Sequence, residues 1–265
     1  LELGGKTPVS IADDADLDRA VEGAVRACFS SAGQLCISTE RVLVHEAIAD
    51  EFVPRFVAAV DAMTIGTGLE FGYDMGSLVS QSQLDTVTRH VEDAVAKGAT
   101  VLAGGLHRPD IGPYVYEPTV LEGVTAAMEC RDDETFGPLV AVYRVADDDE
   151  AVRLANDTSY GLNSSVWTKD VARGRRIAQR IKTGTVNINE CYAAAWGSMG
   201  APMGGMKDSG MGRRHGAEGI LKYTEAQTVA AQYLLPIAPA LGLSDTTYAK
   251  ALTAGLKLMK MAGMK

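Results

Sequence analysis

The chain has 265 residues, 46% apolar and 22% charged, with a formal net charge of -9. That is an ordinary composition for a globular chain with enough apolar surface to build a core. The negative balance excludes nucleic acid as a main partner, because phosphate binding needs clustered Lys and Arg, and no apolar run approaches the ~20 residues of a membrane span.

In chain order, residues 16–29 place Leu17, Ala20, Val21, Ala24, Val25 and Cys28 at helical spacing, with acidic residues at the start where the helix dipole favours them. This helix is expected to end at Ser30-Ser31-Ala32-Gly33, which leaves Cys36 on the loop that follows. Residues 41–45 read as a buried strand and 48–63 as a helix that tolerates Pro54 near its start. Residues 81–97 read as a helix, 100–103 as a strand closed by Gly104-Gly105, and 114–121 as extended chain. A strand over 138–145, a helix over 147–156 opened by four acids, a strand over 163–167, a helix over 171–181 and a strand over 184–188 complete the alternation. Alternating strands and helices predict an α/β fold, an open and largely parallel sheet with helices on both faces.

The pattern shifts near Ala201. Residues 204–212 are glycine-rich and read as a connector, 224–235 as a strand, and 244–261 as a terminal helix with Ser244 as N-cap. The expected organisation is a thiol-nucleophile domain over 1–201, followed over 202–265 by a connector, an oligomerisation strand and a C-terminal helix. In that helix Tyr248, Leu252, Leu256 and Met259 form a stripe beside Lys250 and Lys257. A membrane-surface helix has this form, but packing on the protein itself or on a neighbouring subunit is the favoured reading.

Four cysteines, Cys28, Cys36, Cys130 and Cys191, form neither a CxxC pair nor a dense framework. Reduced thiols in a cytoplasmic setting are the expectation, and no metal site is foreseen. The chain opens on Leu1 rather than Met, so it is expected to begin within something larger.

Three places carry chemistry. Cys36 sits among small neighbours, Ser31, Ala32, Gly33 and Ser38, which leave room for a substrate at a nucleophilic thiol. A backbone N–H at that cysteine can donate to an oxyanion formed on attack. Glu2 stands beside the Gly4-Gly5 turn, where it can swing as a general base. Glu134, in Asp132-Asp133-Glu134-Thr135-Phe136-Gly137-Pro138, can accept hydrogen bonds from a pair of hydroxyls such as a ribose diol, and Phe136 offers a flat apolar face to a ring. Read one at a time, a cysteine is more often a structural thiol and an acidic residue more often a solvated one.

Five motifs in one order change that balance. Leu1-Glu2-Leu3-Gly4-Gly5-Lys6, Gly33-Gln34-Leu35-Cys36, Glu134-Thr135-Phe136-Gly137-Pro138, Gly184-Thr185-Val186-Asn187-Ile188-Asn189 and Pro202-Met203-Gly204-Gly205-Met206-Lys207-Asp208-Ser209-Gly210 together resemble the NAD(P)-dependent aldehyde dehydrogenases over residues 1–228. The resemblance is greatest to the succinate-semialdehyde dehydrogenase group. It implies the family's catalytic-domain fold, Cys36 as the nucleophile that forms a thiohemiacetal and then a thioester, and Glu2 as the residue that activates the hydrolytic water. It implies Glu134 on the nicotinamide ribose, Phe136 near the nicotinamide, and Ser198 on the substrate carboxylate, with Tyr192 and Trp196 as candidates for the substrate tunnel. NADP or NAD is the implied cofactor, a small-molecule aldehyde the substrate, and a homo-oligomer the assembly. Leu35, Thr7 and Thr135 depart from the family's common choices without removing a reacting atom. The family's dinucleotide-binding domain lies mostly before the Glu2 motif, so the chain is expected to lack that domain and to be inactive alone, or to act only as a thiol esterase or oligomerisation module.

Overall fold

The computed structural model describes residues 1, 3–233, 238–239 and 242–264, leaving aside the side chains of 195 and 196. It divides into two units, Leu1–Tyr223 and Thr224–Lys265.

In the first unit, β1 (Thr7–Ile11) leads to α1 (Leu17–Phe29). Asp16 caps α1 by accepting the Arg19 N–H at 3.3 Å, which satisfies one of the orphan donors of the first turn. Its buried face is Ala20, Ala24, Ala27 and Cys28. A 3-10 turn over Ser30–Gly33 then reverses the chain, with Ser31, Ala32 and Gly33 at φ of 55°, 54° and 69°. This brings the chain back to β2 (Thr39–His45) and α2 (Glu46–Asp61). Phe56 of α2 stacks on Phe52 at 5.7 Å and on Phe29 of α1 at 6.5 Å. All three are fully buried, and burial of each such ring contributes roughly 1.5–3 kcal/mol.

There follow α3 (Gln81–Ala96), capped by Ser80, then β3 (Thr100–Ala103), β4 (Thr119–Glu122), the single turn α4 (Glu129–Asp132) and β5 (Leu139–Val145). α5 (Asp148–Asn156) begins in the acidic run, where Asp147 accepts the Glu150 N–H at 2.8 Å. The unit ends with β6 (Tyr160–Gly161), β7 (Asn163–Trp167), α6 (Val171–Ala178), β8 (Thr185–Ile188), α7 (Ala193–Gly197), β9 (Met206–Lys207) and α8 (Gly216–Leu221).

Seven strands form one sheet in the order β3-β4-β5-β2-β1-β7-β8. Every pair is parallel except β3 with β4. Val9, Ile11, Val42, Val44, Val140 and Val142 are buried within it, as central strands covered on both faces require. The α/β expectation therefore stands.

β1 occupies the middle of the sheet, although sequence patterning does not mark it as a strand. Pro8 is the reason: a proline cannot donate to a ladder and is disfavoured in central strands. Here the register shifts between Thr7 and Pro8, and pairing with β7 begins only at Val9. Pro54, expected near the start of its helix, is instead the ninth residue of α2. Its missing N–H deprives the Asp50 carbonyl of a helical partner, and Asp50 is exposed.

Residues 202–223 are held to the first unit. β9 pairs antiparallel with β6, Met203 and Arg214 exchange backbone hydrogen bonds at 2.7 and 2.6 Å, and the Leu3 N–H donates to the Ser209 carbonyl at 3.0 Å. In the second unit, residues 224–233 form no strand. A strand exists only by pairing with an edge, and no edge among the described residues pairs with them. Residues 234 and 235 of the expected strand lie outside the described residues. α9 (Asp245–Met261) is the terminal helix, and its cap is Ser244, which accepts the Thr247 N–H at 3.4 Å. In that stripe Tyr248 is buried, whereas Leu252, Leu256 and Met259 are exposed. No helix among the described residues is long and apolar enough to cross a membrane.

Candidate active site

Three of the motifs lie just before the first residues of three neighbouring strands. Gly4-Gly5-Lys6 precedes β1, Leu35 to Ser38 precede β2, and Glu134 to Pro138 precede β5. Because β5, β2 and β1 are adjacent and parallel, these segments meet at one edge of the sheet, at the amino ends of its strands. Open α/β sheets more commonly bind ligands at the carboxyl ends.

The segments touch backbone to backbone, and glycine makes that possible. A methyl group on Gly5 would overlap the Cys36 carbonyl oxygen, and one on Gly33 would overlap the Gly137 carbonyl. A methyl on Gly4 would lie 2.6 Å from Glu134 Oε2. The Gly5 N–H donates to Glu134 Oε1 at 2.8 Å. One turn, Gly4-Gly5, thus has the Cys36 main chain on one side and the Glu134 carboxylate on the other. Gln34 fixes the approach to Cys36 from outside: its Oε1 accepts the Val79 N–H at 2.9 Å and its Nε2 donates to the Ser77 carbonyl at 3.3 Å. A Gly5→Ala variant should lose about 1–3 kcal/mol, since overpacking forces backbone shifts. Chemical denaturation checks this, and an unchanged midpoint would show that the turn has room to spare.

Beneath the turn lies a buried ion pair between Lys6 and Glu40, 3% and 4% exposed. Lys6 Nζ also donates to the Asp133 carbonyl at 2.7 Å. Glu40 accepts the Thr135 N–H at 3.0 Å and the Phe136 N–H at 3.1 Å. Gln83 Nε2 donates to the carbonyls of the same two residues, at 2.7 and 2.9 Å, and buried His90 meets the Thr135 hydroxyl at 3.1 Å.

A thiol-bearing loop, a Gly-Gly turn and a carboxylate gathered in this way agree with what the sequence is similar to. The profile of the aldehyde dehydrogenase family matches residues 1–229. The chain belongs to that family. It is 56% identical over all 265 residues to a Mycobacterium ulcerans protein that carries the provisional name succinate-semialdehyde dehydrogenase [NADP(+)] 2, covering 51% of that protein. Among solved structures, a succinate-semialdehyde dehydrogenase from Burkholderia pseudomallei matches 84% of this chain and 45% of its own at a TM-score of 0.78 and 42% identity. A betaine aldehyde dehydrogenase from Staphylococcus aureus in complex with NAD+ matches 84% of this chain and 44% of its own at 0.80 and 37%. The chain spans about half the length of the relatives it matches.

The residues that the sequence singles out lie in different surroundings. Cys36 is half-buried and packs against the cluster of Ile37, Leu162 and Met203, on which Tyr192 also packs. Cys28, Cys130 and Cys191 are buried, and loss of hydration pushes the Cys130 and Cys191 thiols up to about 11 and Cys28 well above its usual value. Phe136 is half-buried at φ 51°. Ser198 is exposed, and its hydroxyl donates to the Ala194 carbonyl at 2.6 Å, so it is turned toward its own helical turn. Glu2 and the side chain of Trp196 lie outside the described residues. Sequence reading passed over Glu40, Gln83 and His90. The available signal was a charged residue, Glu40, immediately before the buried strand read over 41–45.

Burial pushes the Glu134 carboxyl up to about 7, reinforced by the nearby Glu40 charge, while the Gly5 N–H and Lys6 pull it down. A raised folded-state value means that the folded protein holds this proton more tightly than the unfolded chain. The resulting stability is fully present below the usual carboxylate value and is lost as pH rises through about 7. Between pH 4.5 and 8, wild type should therefore lose about 1–2 kcal/mol more than Glu134→Gln, a figure already reduced for solvent screening. Urea denaturation of both at pH 5 and pH 8 checks this, and parallel losses would refute it.

Proposed function

We propose that this chain carries the thiol chemistry of an aldehyde oxidation, with succinate semialdehyde as substrate and NADP+ or NAD+ as oxidant. The observation that supports it most is the Gly4-Gly5 turn, which abuts both the Cys36 main chain and the Glu134 carboxylate. A sulfur nucleophile and a diol acceptor thus share one turn.

Cys36 Sγ bonds to the aldehyde carbonyl carbon and gives up its proton, forming a thiohemiacetal whose oxyanion accepts the Cys36 backbone N–H. A bound nicotinamide cofactor, held through Glu134 and Phe136, would supply the two-electron oxidation of that thiohemiacetal by accepting its hydride. Cys36 then holds a thioester. Glu2 removes a proton from water, the hydroxyl adds to the acyl carbon, and the carboxylate product leaves as the thiol is restored. Glu134 fits a ribose diol: with Oε1 taken by the Gly5 N–H, Oε2 is the oxygen left to accept. Phe136, half-buried two residues after Glu134, would pack near the nicotinamide. Ser198 would receive the substrate carboxylate after leaving the Ala194 carbonyl.

The substrate assignment follows the names of the relatives, one of which acts on another aldehyde. Its test is a panel of succinate semialdehyde and betaine aldehyde with each cofactor, on this chain joined to a segment equivalent to the other half of its relatives. Equal or faster turnover of betaine aldehyde would reject succinate semialdehyde. Because the chain spans about half of those relatives, the 265 residues alone should form no NAD(P)H, and robust formation would overturn that part of the reading. We further propose a homo-oligomer in which residues 224–235 pair with a sheet edge of a second copy, in a cytoplasmic setting. Sedimentation showing a strict monomer would count against the pairing.

A further inference from the structure

Glu40 lies four residues after Cys36, within β2, and is 4% exposed. A buried carboxylate is costly unless it is paired and hydrogen-bonded. Every partner of Glu40 described above comes from one of two other motifs. Lys6 supplies the charge, and the N–H groups of Thr135 and Phe136 supply the hydrogen bonds. Phe136 sits at φ 51°, a region that non-glycine residues seldom occupy, and such conformations persist where the surroundings over-determine them. Both N–H groups of the 135–136 pair are held by Glu40, and both carbonyls by Gln83. Lys6 also holds the carbonyl of Asp133, the residue before Glu134.

We propose that Glu40, neutralised by Lys6, is a positioning residue that fixes the left-handed backbone at Phe136 and so sets the Glu134 carboxylate against the Gly4-Gly5 turn. The proposal rests on the reading of Glu134 and Phe136 as cofactor contacts. Glu40 acts through that segment, and it joins the thiol loop and the cofactor loop into one unit, because it stands on the strand that Cys36 leads into. A lysine–glutamate pair suits such a role, since its two oxygens satisfy two amides and its charge is cancelled without using either Glu134 or a solvent cation.

The test is nuclear magnetic resonance on the 265-residue chain, comparing wild type with Glu40→Gln and the conservative Glu40→Asp. In Glu40→Gln the amides of Thr135 and Phe136 should exchange about tenfold faster or more, while Val140 and Val142 in β5 keep their protection. The Gly5 amide donates to Glu134 Oε1 and so reports its titration. Its inflection should move to lower pH once the neighbouring negative charge is gone. Glu40→Asp should fall between the two. Unmoved Thr135 and Phe136 amides would overturn the proposal, as would uniform acceleration across β5, which marks a merely structural role. If Glu40→Gln does not fold, the same amides in Glu40→Asp decide the matter. In the two-part enzyme, Glu40→Gln should raise KM for the cofactor about tenfold and change kcat less than about twofold, and equal losses in both would count against positioning. Selective amide acceleration without any aldehyde oxidation by wild type would sink the proposed function and leave the positioning role standing.

Discussion

Cys36→Ala should lower aldehyde oxidation by the two-part enzyme by about 10⁴-fold or more, the order of loss seen when a covalent nucleophile is removed. Stability should hardly change, because Cys36 is only half-buried. The same thiol can be tested without any cofactor. Cys28, Cys130 and Cys191 are buried, with thiols pushed well above neutrality. A thiol reacts as its thiolate, so these three should be inert in the native chain. Brief iodoacetamide treatment at pH 7.5 should therefore add a single carbamidomethyl group, located at Cys36 by mass spectrometry and absent from Cys36→Ala. Modification spread over several cysteines would show that the site does not single out this thiol. Full activity in Cys36→Ala would end the covalent mechanism.

Lys6→Met should destabilise the chain by about 3–5 kcal/mol, the usual cost of leaving a buried charge without its partner. Glu40 is 4% exposed and would lose the cation beside it while keeping the Thr135 and Phe136 amides. At roughly 2–4 °C per kcal/mol for a unit of this size, the Tm should fall by about 10 °C. Replacing both partners with apolar residues of similar volume is often nearly neutral for a buried pair. Here Lys6→Met/Glu40→Leu should recover only part of the loss, because two buried N–H groups would go unsatisfied. Full recovery in the double variant would show that those amides find other partners. A loss under about 1 kcal/mol in Lys6→Met would show that the pair is solvated rather than dry.

Much of this was legible in the chain itself. Leu17 to Cys28 give their helix by spacing alone, and Ser244 caps its helix where the sequence places it. Cys36, Glu134 and Phe136 each stand in a short motif that leads directly into a strand, and the family follows from those motifs in order. Three features were not legible. β1 hides behind Pro8, whose usual exclusion from central strands is lifted by a register shift. The 224–235 segment reads as a strand by composition, but a ladder needs an edge that single-chain patterning does not supply. The partners of buried Glu40 were not legible either, because Lys6, Thr135 and Phe136 lie 34, 95 and 96 residues from it.

The division has a physical cause. Periodicity and capping are local, so the sequence by itself determined the longer helices, most of the strands and the α/β class, but not the short helices α4, α7 and α8. Adjacency is not local. Only the tertiary structure decided that β5, β2 and β1 lie side by side, which brings segments more than a hundred residues apart to one edge of the sheet. From that adjacency come the Lys6–Glu40 pair, the Glu134 carboxyl held near 7 and the glycines at 4, 5 and 33 that let three backbones touch. The turning of Ser198 onto Ala194 is equally invisible in the sequence, because a hydroxyl's partner is chosen by the fold around it.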